Sequence, residues 1–283
     1  DKTLLKEYSG VCKENLSGRN IKYGVREFGM AAIAAGMAQT GHILPFIGTF
    51  LTFSDYMRNA IRLISLMELP VIFVFTHDSI FLGEDGPTHQ PIEQIMSLRL
   101  IPGLQLIRPG CAEEVKLSWI LAMRHKGPTA IVLPRKSFGK IPITQAMVRD
   151  MCCGGYLYWG AGVDKCDLQF FATGTELALA CEAAELLERD HKKKVSVISL
   201  PCWTVFEQQS ESYRMRILQT SAKLIVSFEA GSSLGWERYT GRKGLHISID
   251  KWGASGSEKE LRHHYEFTAD KVVNKILDSL NMY

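Results

Sequence analysis

The run Val71–Phe75 (VIFVF) constrains the fold more than any other segment. Five consecutive β-branched or aromatic residues leave no polar side for water, so a strand here is covered on both faces. Further strand-like runs are Ile43–Ile47, Gln105–Ile107, Ala130–Leu133, Leu168–Ala172 (LQFFA), Val195–Leu200 (VSVISL), Leu224–Phe228 (LIVSF) and Leu245–Ile249. Helical periodicity fills the gaps at Glu27–Gln39, Phe50–Met67 (ended by Pro70), Glu113–His125, Glu176–Arg189 and Lys271–Leu280. Strands alternating with helices of this length predict parallel sheets between helix layers. The expected fold class is α/β, with two three-layer α/β/α domains. The first carries a parallel sheet, and the second a smaller, mostly parallel one.

A chain of 283 residues suits two domains of roughly 100–200 residues each. The stretch Gly139–Lys165 is less regular and holds Gly139, Pro142, Gly154, Gly155, Gly160 and Gly162, which marks a junction dividing 1–148 from 149–283. The 33 basic and 30 acidic residues are mixed along the chain, and a net charge of +3 is no nucleic-acid footprint. Apolar runs fall well short of the ~20 residues a membrane helix needs. Seven cysteines, at 12, 111, 152, 153, 166, 181 and 202, include no CxxC pair, which predicts reduced thiols in a cytoplasmic protein. The chain opens Asp1-Lys2-Thr3, without an initiator Met or a signal-peptide pattern, so a piece of a longer protein is expected.

In open parallel sheets ligands sit beyond the carboxyl ends of the strands. After Val71–Phe75 comes the densest polar cluster in the chain, His77–Gln90, with two His, two Asp and one Glu among Gly and Pro. Its spacing matches no common zinc pattern. It reads as solvated loop polarity or as a site for a polar, hydroxylated substrate, where imidazoles pass protons or bind oxygens. Arg135 follows Ala130–Leu133 closely and suits either a surface ion pair or bidentate binding of a phosphate or carboxylate. Glu27 opens a helix rich in Gly, Ala and Met, packed on most sides. It compensates the helix terminus, or it is a buried acid that shares a proton with a ring nitrogen. Phe50, Phe53 and Tyr56 lie at i, i+3 and i+6, either as core packing or as an aromatic wall for a flat heteroaromatic ring.

Several runs together resemble the transketolase family. They are Tyr23-Gly24-Val25-Arg26-Glu27-Phe28-Gly29-Met30, Thr76-His77-Asp78-Ser79-Ile80 and Gly83-Glu84-Asp85-Gly86-Pro87-Thr88-His89-Gln90-Pro91. The likeness continues through Gly127-Pro128-Thr129-Ala130, Ala172-Thr173-Gly174-Thr175-Glu176, Glu229-Ala230-Gly231 and Trp252-Gly253-Ala254-Ser255. It covers the pyrimidine-binding and C-terminal domains of that family, and only those. The resemblance implies transfer of a two-carbon ketol unit between sugar phosphates in the pentose phosphate pathway. It also implies thiamine diphosphate with Mg2+ (or calcium) and a homodimer or a partner chain.

By resemblance, Glu27 bonds N1′ of the aminopyrimidine and activates the cofactor, within an aromatic pocket of Phe50, Phe53 and Tyr56. His89 lies near the reacting oxygens, Asp85 reads the C2 hydroxyl, and His77 and Arg135 hold the sugar phosphate. Phe81 stands where many members have Gly and is expected to narrow the substrate channel slightly. The family's metal site is a Gly-Asp-Gly stretch followed by Asn on an N-terminal domain. Gly83–Gly86 reads Gly-Glu-Asp-Gly, in the wrong domain, so no metal ligand is expected in this chain. Two related readings are a 2-oxo acid dehydrogenase β-subunit and deoxyxylulose phosphate synthase. A third is a dimerising module that is inactive in isolation.

Overall fold

The computed structural model describes residues 4–138, 143–160, 162–218 and 220–281, and within them two α/β domains follow one another. The first contains α1 (Glu27–Gln39), β1 (Phe46–Phe50), a 3-10 helix (Leu51–Met57), α2 (Arg58–Leu66), β2 (Ile72–Thr76), α3 (Gln94–Arg99), β3 (Gln105–Ile107), α4 (Ala112–Arg124) and β4 (Thr129–Leu133). The strands are all parallel, in the order β1-β2-β4-β3. The apolar run is the inner strand β2, and its side chains divide with period two. Phe73 and Phe75 pack with Met30, Ala31, Ala34 and Ile61 of α1 and α2. Ile72 and Val74 pack with Ala122 and Trp119 of α4 on the other face. Each fully buried side chain of this size stabilises the fold by roughly 1.5–3 kcal/mol.

Two elements differ in extent from the periodicity. β1 begins at Phe46 rather than Ile43, because Pro45 lacks an N–H and contributes only its carbonyl, bonded by Ile72 N at 3.0 Å. The segment expected as one helix to Met67 is a 3-10 helix followed by α2, and Glu68, at φ +53, ends it before Pro70. Helix α1 has the expected bounds but is covered along one face only. Met30, Ala31, Ala34 and Ala38 are buried, while Phe28 and Ile33 are about half exposed among the described residues.

The second domain contains α5 (Gln145–Met151), β5 (Tyr156–Gly160), β6 (Leu168–Ala172), α6 (Glu176–His191), β7 (Val195–Ser199), α7 (Trp203–Glu207), α8 (Glu211–Leu218), β8 (Leu224–Phe228), α9 (Glu237–Thr240), β9 (Leu245–Ile247), α10 (Glu258–His264) and α11 (Ala269–Asn281). Strand order is β5-β7-β6-β8-β9, parallel except for β5. α5 and β5 occupy the stretch expected to be irregular, and the 148/149 division runs through α5. Gly139 and Pro142 lie outside the described residues. The alternation of Tyr156 and Tyr158 inward with Leu157 and Trp159 half-buried is a strand pattern that the surrounding glycines obscure.

Gly160 closes β5 at φ +91, and a Cβ there would lie 2.0 Å from the Val195 carbonyl oxygen. Gly160→Ala therefore combines a left-handed backbone with a backbone clash. It should lower the unfolding free energy by at least about 1–3 kcal/mol in denaturant titrations.

Candidate active site

Strand register brings the expected residues together. Phe50 pairs with Thr76, and Thr76 with Leu133, so β1, β2 and β4 end level. Just beyond these ends lie the 3-10 helix, His77 and Arg135. A 3-10 helix has three residues per turn, so its i and i+3 side chains eclipse. Phe53 and Tyr56 are so related, 5.8 Å apart ring centre to ring centre, and Phe50, the last residue of β1, extends the row at 5.8 Å from Phe53. His77 is buried, its ring 5.3 Å from that of Phe50. His89 meets Phe50 and Phe53 edge-on at 5.6 and 5.2 Å, and its Nδ1 is 2.9 Å from the Thr88 hydroxyl. Five of the expected residues thus form one aromatic and imidazole cluster.

Asp85 and Arg135 form a second group at the rim. Arg135 donates to Asp85 at 3.2 Å and to the Leu82 carbonyl at 2.9 Å. Both are partly exposed, 45% and 41%, and a pair so open to water is worth ~0–1 kcal/mol. Glu27 opens α1, half-buried. Among the described residues no hydrogen bond or ion pair engages its carboxylate. α1 is held to the aromatic row from beneath, where Met30, Ala31 and Ala34 share a core with Leu51 and Met57.

Phe81 does not line the cluster. It is buried, its ring 5.3 Å from Phe267 and 4.1 Å beneath the Arg262 guanidinium, both from the second domain. The expectation that it narrows a channel gives way to an apolar anchor for the loop. Gln90 Nε2 donates to Gly83 O at 3.0 Å and to Ala254 O at 2.9 Å.

The sequence reading passed over a buried charged network at the same edge. Arg108, wholly buried, donates to Asp78 at 2.8 Å and to the Thr173 hydroxyl at 3.0 Å. It also pairs with Glu176 at 2.5 Å. Arg99 holds Glu229 through two bonds of 2.7 Å, while Thr173 and Trp236 also donate to Glu229. Each member lies at a strand end or on an adjoining helix: Asp78 after β2, Arg108 after β3, Thr173 and Glu176 after β6, Glu229 after β8. The rule that singled out Arg135, a polar residue just past an apolar strand, also marks Arg108, Thr173 and Glu229. A separate buried carboxylate, Glu114, accepts from Tyr156, Ser199 and Gly110 N at 2.6–2.7 Å.

The two carboxyls are driven in opposite directions. Burial pushes Glu114 above its ordinary value despite its three donors. Burial also opposes ionisation of Glu229, but the guanidiniums of Arg99 and Arg108 and the bonds from Arg99 and Thr173 hold it below.

Residues 3–140 match the family model described as transketolase, pyrimidine binding domain, and residues 154–268 the transketolase-like C-terminal domain. The chain belongs to the transketolase family. Transketolase of Aquifex aeolicus is 43% identical over 277 residues, 98% of this chain and 40% of the relative. That of Bacillus subtilis is 41% identical over 283 residues, 99% of this chain and 42% of the relative. A transketolase of Pichia stipitis solved with sedoheptulose 7-phosphate is 34% identical with a TM-score of 0.93. The match covers 100% of this chain and 41% of that one. A protein described as a split-gene transketolase, inactive β4 tetramer, shares the fold at 22% identity and TM-score 0.73, over 91% of this chain and 83% of that one. The chain spans about two fifths of the length of the curated transketolases it matches. Among the described residues, no three His, Cys, Asp or Glu side chains are grouped to hold a metal ion, and no helix is long and apolar enough to cross a membrane.

Because Glu229 is held low, its stabilising contribution is complete above the ordinary carboxylate value of about 4.3 and is lost as pH falls through the lowered one. Glu229→Gln strands Arg99 and should cost about 3–5 kcal/mol at neutral pH. The gap between melting temperatures of the variant and the unsubstituted protein should hold steady above the ordinary carboxylate value of about 4.3 and narrow as pH falls below it.

Proposed function

We propose that this chain supplies the pyrimidine side and the substrate side of a transketolase centre that moves a two-carbon ketol unit between sugar phosphates. The observation that carries this reading is the convergence of an aromatic row, two imidazoles and an Asp–Arg pair at one sheet edge. The row suits a flat heteroaromatic ring: Phe50 and Phe53 are half-buried and Tyr56 is exposed. Glu27, with its carboxylate unengaged, suits a ring nitrogen. Phe50, Phe53, Tyr56 and Glu27 would therefore hold the pyrimidine of thiamine diphosphate. When bound, that cofactor supplies the electron sink for cleaving the bond beside a ketose carbonyl. Ligands for the diphosphate and Mg2+ belong, in this reading, to a further stretch of protein or a partner chain.

The chain's own groups divide the remaining work. Glu27, half-buried at the start of α1, would bond the ring nitrogen through its carboxyl. His89 commits Nδ1 to Thr88, which leaves Nε2 to exchange a proton with a substrate carbonyl or hydroxyl oxygen. Asp85 offers one oxygen to Arg135 and the other to a sugar hydroxyl. Arg135 and His77 bind the phosphate, the guanidinium in bidentate fashion. Domain roles follow: residues 1–148 bind pyrimidine and substrate, and 149–283 form the C-terminal domain. The bare face of α1, with Phe28 and Ile33 outward, supports burial against a second copy or a diphosphate-binding partner. Seven free cysteines support a reducing, cytoplasmic setting.

The test joins this chain to a transketolase N-terminal half and supplies xylulose 5-phosphate and ribose 5-phosphate. Ketol transfer is expected from the joined protein and none from this chain alone. Turnover of pyruvate without ketol transfer would instead favour a 2-oxo acid dehydrogenase β-subunit. In the joined protein, Glu27→Ala should lower kcat by at least ~100-fold with donor KM within about threefold. Arg135→Ala should raise KM for phosphorylated donors by at least about tenfold, the loss of a bidentate charge-assisted contact, while thermal unfolding stays nearly unchanged.

A further inference from the structure

The loop His77–Gln90 fixes its own shape mainly at its far end, where Gln90 Nε2 bonds Gly83 O at 3.0 Å and His89 N bonds Gly86 O at 3.0 Å. Its internal side-chain bonds near His77 are long: Ser79 Oγ to Asp78 at 3.3 Å, and Phe81 N to Ser79 Oγ at 3.4 Å. Gly83 and Gly86 take positive φ, which loosens the unfolded loop further. The second domain instead grips the loop at three points. Asp78 is tied through Arg108 to Glu176 and Thr173. Phe81 is seated against Phe267 and Arg262. Gln90 bonds Ala254 O, and a Cβ on Gly253 would come within 1.7 Å of Gln90 Oε1.

Of the three, only the first is charged and wholly buried, and it adjoins the imidazole assigned to the phosphate. Glu176 is set from its own domain, accepting from Ala230 N at 3.0 Å and the Thr175 hydroxyl at 2.9 Å. Arg108 is locked in turn, since a side chain on Gly174 would stand 2.6 Å from the guanidinium carbon. Two guanidiniums and three carboxylates with almost no exposure are a poor means of gaining stability, because desolvation offsets most of their attraction. Their geometry is nevertheless very restrictive, since every departure leaves a charge unpaired in a low-dielectric interior.

We propose that the second domain positions the substrate loop, with Glu176 acting through Arg108 on Asp78 to fix where His77 presents its imidazole to the anionic end of the substrate. Glu176 and Arg108 are positioning residues and touch no substrate. The inference rests on the transketolase reading for the identity of that substrate. Misplacing a substrate-binding group by ~1 Å is enough to cost up to ~100-fold.

The experiment uses the joined, two-part enzyme and compares a phosphorylated ketose donor with the same ketose lacking its phosphate. Glu176→Gln should raise KM for the phosphorylated donor at least tenfold and leave kcat/KM for the other within threefold. Thr173→Val, which removes one bond to Arg108 and one to Glu229, should shift KM in the same direction by a smaller factor. Thr173→Ser, which keeps the hydroxyl, should behave as the unsubstituted enzyme. Amide hydrogen exchange at residues 78–82 should quicken in Thr173→Val and not in Thr173→Ser. Equal losses on both donors, or unchanged KM for both, would overturn the proposal. Should Glu176→Gln fail to fold, the Thr173 pair decides alone. If the unsubstituted protein transfers no ketol unit from either donor, the transketolase reading fails. Exchange at 78–82 then still tests the clamp, and unaltered exchange in Thr173→Val removes it.

Discussion

The buried Arg108 guanidinium is the interaction on which the rest of the structure leans. It stands where the carboxyl ends of two separate sheets come together, and it satisfies groups from both. A parallel sheet leaves polar backbone and side chains at its carboxyl edge that must be wet, bound to ligand or paired. Here part of the first sheet's edge, after β2 and β3, is paired with the edge of the second, after β6 and β8. The remaining part, after β1, β2 and β4, is left for the aromatic and imidazole cluster. A single step along the chain just past β2 separates the two uses: His77 faces the cluster, and Asp78 faces the junction.

Charge is handled locally rather than by an overall field. A net +3 on 283 residues gives little long-range steering toward an anionic ligand. Arg135 at the rim is an exposed cation, and Asp85 holds it in place at little energetic cost. Deeper in, Arg99 and Arg108 are bonded to buried carboxylates, so they fix the geometry of the junction rather than offer a charge to solvent.

Much of this arrangement is legible in the chain. β2 declares itself because five apolar residues admit only a doubly covered strand, and the position of Arg135 follows from the strand before it. The row Phe50, Phe53, Tyr56 is visible in spacing, although its alignment depends on a 3-10 rather than an α-helical turn, which three-residue spacing alone does not distinguish. The start of β1 is misjudged when Ile43 and Leu44 are counted as core; both are exposed, and Pro45 sets the limit. The junction network is harder to see. Arg108, Glu176 and Glu229 are three ordinary charged residues scattered over more than a hundred positions, and only the long-range closure of two sheets makes them neighbours. Phe81 misleads for the same reason, because its partners Phe267 and Arg262 lie at the far end of the chain.

That last contact bears on how such proteins recombine. A ring at position 81 needs a second domain with a matching seat, an aromatic edge from 267 and a flat cation from 262. A chimera that grafts this second domain onto a relative with glycine at 81 inherits an empty seat. The reverse graft inherits a ring with nowhere to go. The natural unit of exchange is therefore the second domain together with the loop it grips, so the functional seam of this chain cuts through the first domain rather than between the two.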